Sequence, residues 1–360
     1  MKVNVNGCAC EFTEHGEKVI QRLIEATKGT GNTLVTVSGN YLMHETVYLP
    51  SDITLVLKDC HLRMADGTFC NMFKNAACEN FESRSRATAD KNIKIVGEGR
   101  AILDGGNYNG LSERNSGKDG YPSVVNNNLL LFSNVDGFEI RNIRCINQRH
   151  WALNFYYCRY GKLSDIDFCA DYTRIDENGN RVVGLDKSKY GQTYIKNADG
   201  IDLRMGCHDI IIENITGFTE DDTIALTALQ NKNEKKYAVE GETGDIYNVV
   251  IRNIVGASFC TNVRLLNQGG TKLYNILVDG VQDSSLDEKY YVGRGVAGVR
   301  IGDAHLYGSR HATADETFNI CVRNVFSRAT CAFRMAGEMA DVTYENIFGF
   351  DGCPQTVEKL

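Results

Sequence analysis

One short pattern recurs through most of the chain: an alternating β-like run, then Asn or Asp followed by Ile or Val, then another short run. It reads FEIRNIRCIN at 138–147, GKLSDIDFCAD at 161–171, DIIIENITGF at 209–218 and NVVIRNIVGA at 248–257. It continues as NILVDGVQDS at 275–284, NICVRNVFSR at 319–328 and DVTYENIFGF at 341–350, with an earlier version, NIKIVGEGRAILDG, at 92–105. Neighbouring units lie about 22–27 residues apart, or about 39–49 where an insertion intervenes. A unit this short cannot bury its own apolar face and must stack on its neighbours. Period-two alternation with β-branched residues marks strands, and Asn and Gly supply corners that tolerate left-handed backbone. The expected fold is therefore all-β: a right-handed parallel β-helix, a solenoid whose like residues stack at about 4.8 Å with turn asparagines in ladders. A β-sandwich also repeats its strands, roughly every 8–12 residues. The Asn-Ile register, sustained over about two hundred residues, favours the solenoid. Each RNI or ENI is then a structural corner.

The N-terminal part differs. EKVIQRLIEATKGTG (17–31) has apolar residues at 19, 20, 23 and 24 and ends in Gly, the pattern of a helix. It is expected to cap the first rung, whose open edge would otherwise invite aggregation. One domain over 1–360 is expected, with about 1–45 as the cap and about 46–350 as coils. The 35 glycines against 3 prolines suit many tight turns.

Composition narrows the function. A net charge of −7 and the lack of a basic stripe argue against nucleic acid as a partner. No run reaches the roughly 18 apolar residues of a membrane span, and MKVNVNGCACEFTEHG has no apolar core of a signal peptide. The 13 cysteines are odd in number and several sit in apolar runs (Cys145, Cys158, Cys169, Cys321), as expected of buried thiols in a cytoplasmic protein. Cys8 and Cys10 have no second Cys/His pair at ligand spacing, so no metal and no cofactor is expected.

The stretch KNADGIDLRMGCHDIIIENITGFTEDDTIAL (196–226) carries the chemistry. Asp199 and the pair Asp221-Asp222 are about one coil apart, so they fall on adjacent rungs, with backbones roughly 5 Å apart. Crowded carboxylates resist joint ionisation, and one should keep its proton. An acid beside an ionised base is what glycosidic bond cleavage needs. Calcium binding and a structural role at turns are the competing uses of such a cluster.

NADGID followed about 22 residues later by EDDTIAL resembles the paired signature of glycoside hydrolase family 28, the polygalacturonase family, N-T-D-G-[IF]-D and then G-D-D-C-[IV]-A. GEGRAILDGG (97–106) is similar to its G-x-G-x-I-D-G turn, NQRHWALNFYYC (147–158) to a coil with an aromatic before the active groove, and GVRIGD (298–303) to its G-x-R-I-K segment. The similarity spans about residues 15–350 and implies a place in the pectin-lyase-like superfamily. It implies hydrolysis of an oligosaccharide with inversion, with Asp221 as general acid and Asp199 with Asp222 activating the water. It also implies substrate contacts from Asn197 and Arg300. Asp202 reads as a support residue or a substrate contact.

Two positions depart from the family pattern. Thr261 stands at about the place of the family's histidine, and Gly302 replaces the lysine of R-I-K. Losing a cation weakens the case for an anionic sugar. Either Arg264 and Arg204 compensate or the sugar is neutral. His150 and Trp151 are candidates for the sugar-binding groove, an aromatic face being suited to a sugar ring, although Trp151 fits a core position equally well. His208 reads as a corner histidine, and His305 or His311 as a replacement for the missing one. The stretches 105–126, 171–196 and 228–245 read as solvated loops that border a groove. A cytoplasmic member would act on short imported oligosaccharides. The other readings are a different β-helix carbohydrate enzyme (a polysaccharide lyase, uronate epimerase or fructan transferase) and a non-catalytic glycan-binding β-helix. Oligomeric state stays open.

Overall fold

The computed structural model describes residues 1–5, 8–28, 33–65, 68–79, 84–106, 128–148, 151–170, 174–176, 181–182, 193–194, 199–230, 232–284 and 294–359. Two ten-stranded parallel sheets make up the body, and the chain alternates between them coil by coil. One sheet has long strands, from Thr33–Met43 and Ile53–Met64 through His208–Thr219 and Ile246–Ser258 to Ala340–Gly349. The other has shorter strands, among them Leu130–Ser133, Leu153–Tyr156, Ile201–Arg204, Ile224–Leu229, Thr261–Gln268, Ala297–Ile301 and Cys331–Ala336. The parallel β-helix expected from the repeat is the fold of the chain.

Each coil holds two strands, and the longer one bends where the repeat puts its asparagine. Asn142, Asp165, Asn214, Asn253, Gly280, Asn324 and Asn346 form one column, all at positive φ. Only glycine and short side chains that bond locally take that backbone cheaply. The column is tied along the axis: Asn214 Nδ2 donates to Asp165 Oδ1 (2.9 Å), Asn253 Nδ2 to Asn214 Oδ1 (2.6 Å) and Asn346 Nδ2 to Asn324 Oδ1 (3.0 Å). Where Gly280 offers no side chain, Asn324 turns to Asp279 Oδ1 (2.7 Å). A second ladder links Asp209, Asn248, Asn275 and Asn319 at the other corner.

Inside, like residues stack: Ile95, Ile140, Leu163, Ile212, Ile251, Val278 and Val322 occupy one register row, and all are fully buried. Each such side chain contributes roughly 1.5–3 kcal/mol on burial. One hydrophobic cluster runs from Ile20 to Cys353. Of the thiols singled out above, Cys145 and Cys158 are buried, whereas Cys169 and Cys321 are half-buried. They sit at strand positions that alternation turns away from the core.

The helix spans Gly16–Ala26 and buries Ile20 and Ile24 with Gly16 and Glu17. It packs against Thr33–Met43 and Val47–Leu49, the terminal strands of the two sheets. Val19 and Leu23, counted in the apolar stripe, lie outside the buried set, and Leu23 is exposed. The expected glycine terminus is corrected: Thr27 closes the helix, its hydroxyl donating to Ile24 O at 2.7 Å. Gly29 and Gly31 lie outside the described residues. Asp104, in the ILDG turn, is wholly buried between Arg63 Nη1 (2.5 Å), His61 Nε2 (3.1 Å) and Asn147 Nδ2 (3.0 Å), and so serves as a structural anchor.

The insertion 228–245 corrects the expectation of a solvated loop. Tyr237 is fully buried, stacked on Tyr156 at 4.2 Å, and Val239 joins it in a second apolar cluster with Leu131, Tyr157 and Met205. Its short helix, Lys232–Lys235, delivers Glu234 to Arg204. Of the other two stretches read as loops, 107–126 and most of 171–196 lie outside the described residues.

Candidate active site

The acids converge at the entry to the short strands. Ile201 pairs with Ile224, which puts Asp199 level with Asp222 on the next strand. Gly200 N donates to Asp222 O at 2.9 Å, and Asp222 N to the Asp199 carboxyl Oδ1 at 3.0 Å. Asp199 and Asp222 are 6% and 2% exposed, while Asp221 is less buried than either. The Asp221 backbone is fixed from both sides, its carbonyl accepting from Thr219 Oγ1 (2.8 Å) and Ser258 Oγ (2.5 Å).

Alternation turns Asp202, Arg264 and Arg300 outward, since Ile201, Leu203, Val263, Leu265, Val299 and Ile301 belong to the core. Asn154, Asp202, Ala225, Arg264, Arg300 and Arg334 thus share one row across adjacent strands. Arg264 Nη1 donates to Asp222 Oδ2 (3.3 Å) and its Nη2 to Asp303 Oδ2 (2.7 Å), while Arg300 pairs with Asp303 Oδ1. Asp222 Oδ1 is buried and has no hydrogen-bond partner among the described residues.

Asp202 is fully buried, which corrects its candidacy as a substrate contact. It hydrogen-bonds Asp199 and takes Arg204 Nη1 at 3.2 Å. Burial pushes the Asp202 carboxyl up to about 7 against the pull of Arg204. Burial, reinforced by Asp202, Asp221 and Asp222, pushes Asp199 well above the carboxylate range. A proton shared within the Asp199–Asp202 pair relieves the repulsion.

Arg204 does not compensate for the lost lysine. It is buried, paired with Glu234 and Asp202, and covered by the Trp151 ring at 4.0 Å. Trp151 is half-buried, with that face taken by the guanidinium. Arg264 is likewise committed to Asp222 and Asp303. Thr261 is buried one strand beyond Asp222, its carbonyl accepting Thr223 N at 2.9 Å. Gly302 has φ +70, and a Cβ there would lie 1.9 Å from Ala336 O, so no lysine fits. Asn197 and His150 lie outside the described residues. His208 is at the far sheet's corner, stacked on Tyr247 at 4.5 Å and bonded to Asp209. His305 and His311 are exposed in a loop that Gln268 docks, donating to His305 O (2.6 Å) and accepting from Gly308 N (2.8 Å).

Asp303, Cys260, Glu234 and Tyr307 are neighbours of the site that the sequence reading missed. Asp303 follows Arg300 by three residues in the quoted GVRIGD, and that offset was its available signal. Tyr307 lies 5.0 Å over Arg264. Ligand atoms of Asp221, Asp222 and Cys260 lie within 4.8 Å of one another. Burial and both acids push the Cys260 thiol well up, which keeps it protonated and a poor metal ligand.

Residues 71–244 match the model of glycosyl hydrolases family 28, a span that includes Asp199, Asp202, Asp221 and Asp222 and ends before Arg264. No curated protein matches the chain. Among solved structures, a 1,3-alpha-1,4-beta-D-galactose-4-sulfate-3,6-anhydro-D-galactose-2-sulfate 4 galactohydrolase superposes with a TM-score of 0.60 at 13% identity, covering 96% of this chain and 88% of that one. The A-module of the Azotobacter vinelandii mannuronan C-5 epimerase gives 0.56 at 12% identity, covering 96% and 77%. A hyperthermoactive exopolygalacturonase from Thermotoga maritima gives 0.53 at 11% identity, covering 96% and 88%. At these identities the likeness is one of fold. Residues 71–244, which carry the four acids, are thus similar to glycosyl hydrolases family 28, and the chain shares the parallel β-helix fold of these solved structures.

Proposed function

We propose that this carbohydrate-active β-helix hydrolyses glycosidic bonds of an oligosaccharide by acid/base catalysis. The observation that carries the reading is the unequal setting of three adjacent carboxyls. Asp221 is the more accessible of the three, so a leaving oxygen would reach it more readily than the buried pair. Asp222, recessed behind it, has a guanidinium on Oδ2 and an unpartnered Oδ1. That oxygen is an acceptor for the proton of one water. In the proposed step Asp221 gives its proton to the glycosidic oxygen as the bond breaks. Water attacks the anomeric carbon and passes a proton to Asp222. Asp199, holding a proton toward Asp202, fixes the Asp222 backbone through its other oxygen.

Carboxyl spacing alone pulls the other way. Ligand oxygens of Asp221 and Asp222 lie within 4.8 Å of one another, whereas inverting pairs usually stand roughly 6.5–9.5 Å apart. Burial decides between the two, because a recessed carboxylate touches a water more readily than it touches an anomeric carbon. Proton NMR of the first-formed sugar tests the step. The inverted anomer is expected, and retention would reassign Asp222 or Asp199 as a nucleophile. Loss of activity on chelation with an unsaturated product would replace hydrolysis by elimination.

A further inference from the structure

We propose that Asp303 makes this site selective for uncharged sugars, so that the ring at the cleavage point carries neither carboxylate nor sulfate. The proposal rests on the hydrolase reading for where that ring sits. Arg264 and Arg300 are register neighbours on adjacent strands, an arrangement that would grip an anion by two forks. A carboxylate of the protein already fills it. Asp303 Oδ2 accepts from Arg264 at 2.7 Å, and Oδ1 accepts from Arg300 and from His305 N at 2.9 Å. The side chains of Arg264, Arg300 and Asp303 are only 11%, 10% and 3% exposed. An anionic substrate could take the Nη2 groups that these arginines turn to Asp303 only by displacing that carboxylate and leaving it buried without a partner, which is unfavourable.

The surroundings reinforce the exclusion. No cation can be supplied at Gly302, where a Cβ meets the Ala336 carbonyl. Arg204 is matched by Glu234 and Asp202. Among the described residues, Asp199, Asp202, Asp221, Asp222, Glu234 and Asp303 stand against Arg204, Arg264 and Arg300, so the carboxylates outnumber the guanidiniums even with protons on two of them. An anion is repelled from such a site, whereas sugar hydroxyls donate to it. Arg334, on the same row, is three strands from Asp222, roughly 14 Å by strand spacing, and does not bear on the ring being cleaved.

The test uses matched pairs: oligouronides of galacto, gluco and manno configuration, and the same chains with their carboxyls reduced to hydroxymethyl groups. Binding is measured by calorimetry to the Asp221→Asn protein, and hydrolysis with the parent enzyme. At least one reduced chain should bind at least tenfold more tightly than its uronide, and Asp303→Asn in the same background should narrow that ratio at least tenfold. Equal or tighter binding of the uronide, or a ratio indifferent to Asp303→Asn, overturns the proposal. The first comparison needs no change at Asp303, so it stands even if that variant folds poorly. Selective binding of a neutral chain that the parent enzyme does not cleave leaves the selectivity and removes the hydrolase reading. Preferential cleavage of a uronide does the reverse, and binding to no chain removes both.

Discussion

The backbone N–H of Asp222 donates to the side chain of Asp199 at 3.0 Å across 23 residues of sequence. One acid therefore sets the position of the other. The bond exists because a single coil of the solenoid brings Ile201 beside Ile224, and the acids precede those residues by the same two positions.

Asp221→Asn should remove the proton donor without disturbing the core, because the side chain is only partly buried. Turnover of an oligosaccharide is expected to fall about 10²- to 10⁴-fold, the usual scale for a general acid. The melting temperature should stay close to that of the parent. Reducing-end release beside thermal denaturation checks this, and turnover equal to the parent would disprove the assignment.

The Asp202 carboxyl has a folded value of about 7, above the unfolded value near 3.9. The folded state thus holds this proton more tightly. The stabilising effect is full below about pH 4 and is lost as pH rises through 7. Melting temperature should decline over that interval, and Asp202→Asn should flatten the decline. An unchanged slope in the variant would locate the titration elsewhere.

Glu234→Gln leaves a buried guanidinium short of one partner. Breaking such a pair costs about 3 kcal/mol, so chemical denaturation should show a loss of that order. Protease cleavage should appear first within 231–245, because Glu234 and Tyr237 hold that segment down. Protection equal to the parent would show that Tyr237 holds it alone.

Restoring the family lysine by Gly302→Lys should fail. A side chain at φ +70 costs roughly 1–2 kcal/mol, and the contact with Ala336 O forces the backbone to move. Soluble yield and melting temperature are both expected to drop. A stable variant with improved uronide cleavage would contradict the geometry.

At the corner column, Asn253→Ala should destabilise more than Asn253→Gly. Alanine loses the bond to Asn214 and also strains a residue at φ 56, whereas glycine loses only the bond. Equilibrium denaturation of the two variants separates the ladder from the backbone effect.

The corners were legible because the solenoid makes a long-range architecture out of a local repeat. Each Asn-Ile marks a left-handed residue followed by a core residue, so FEIRNIRCIN and NVVIRNIVGA show both their bend and their inward face. Asp199 and Asp222 were placed on adjacent rungs by the same periodicity. Arg204 was misread because its partner Glu234 lies in an insertion that breaks the repeat. Asp303 was passed over because its role depends on Arg264, 39 residues earlier.

The sequence by itself determined the β-helix, its corner ladders and the gathering of the acids, since all three follow from a spacing that any stacked coil must obey. Tertiary structure alone decided which charges are spent on one another. Ion pairing depends on where side chains end in space, and periodicity carries no information on that. Asp303 between two arginines, Glu234 on Arg204 and the carbonyl that closes Gly302 are contacts of this kind.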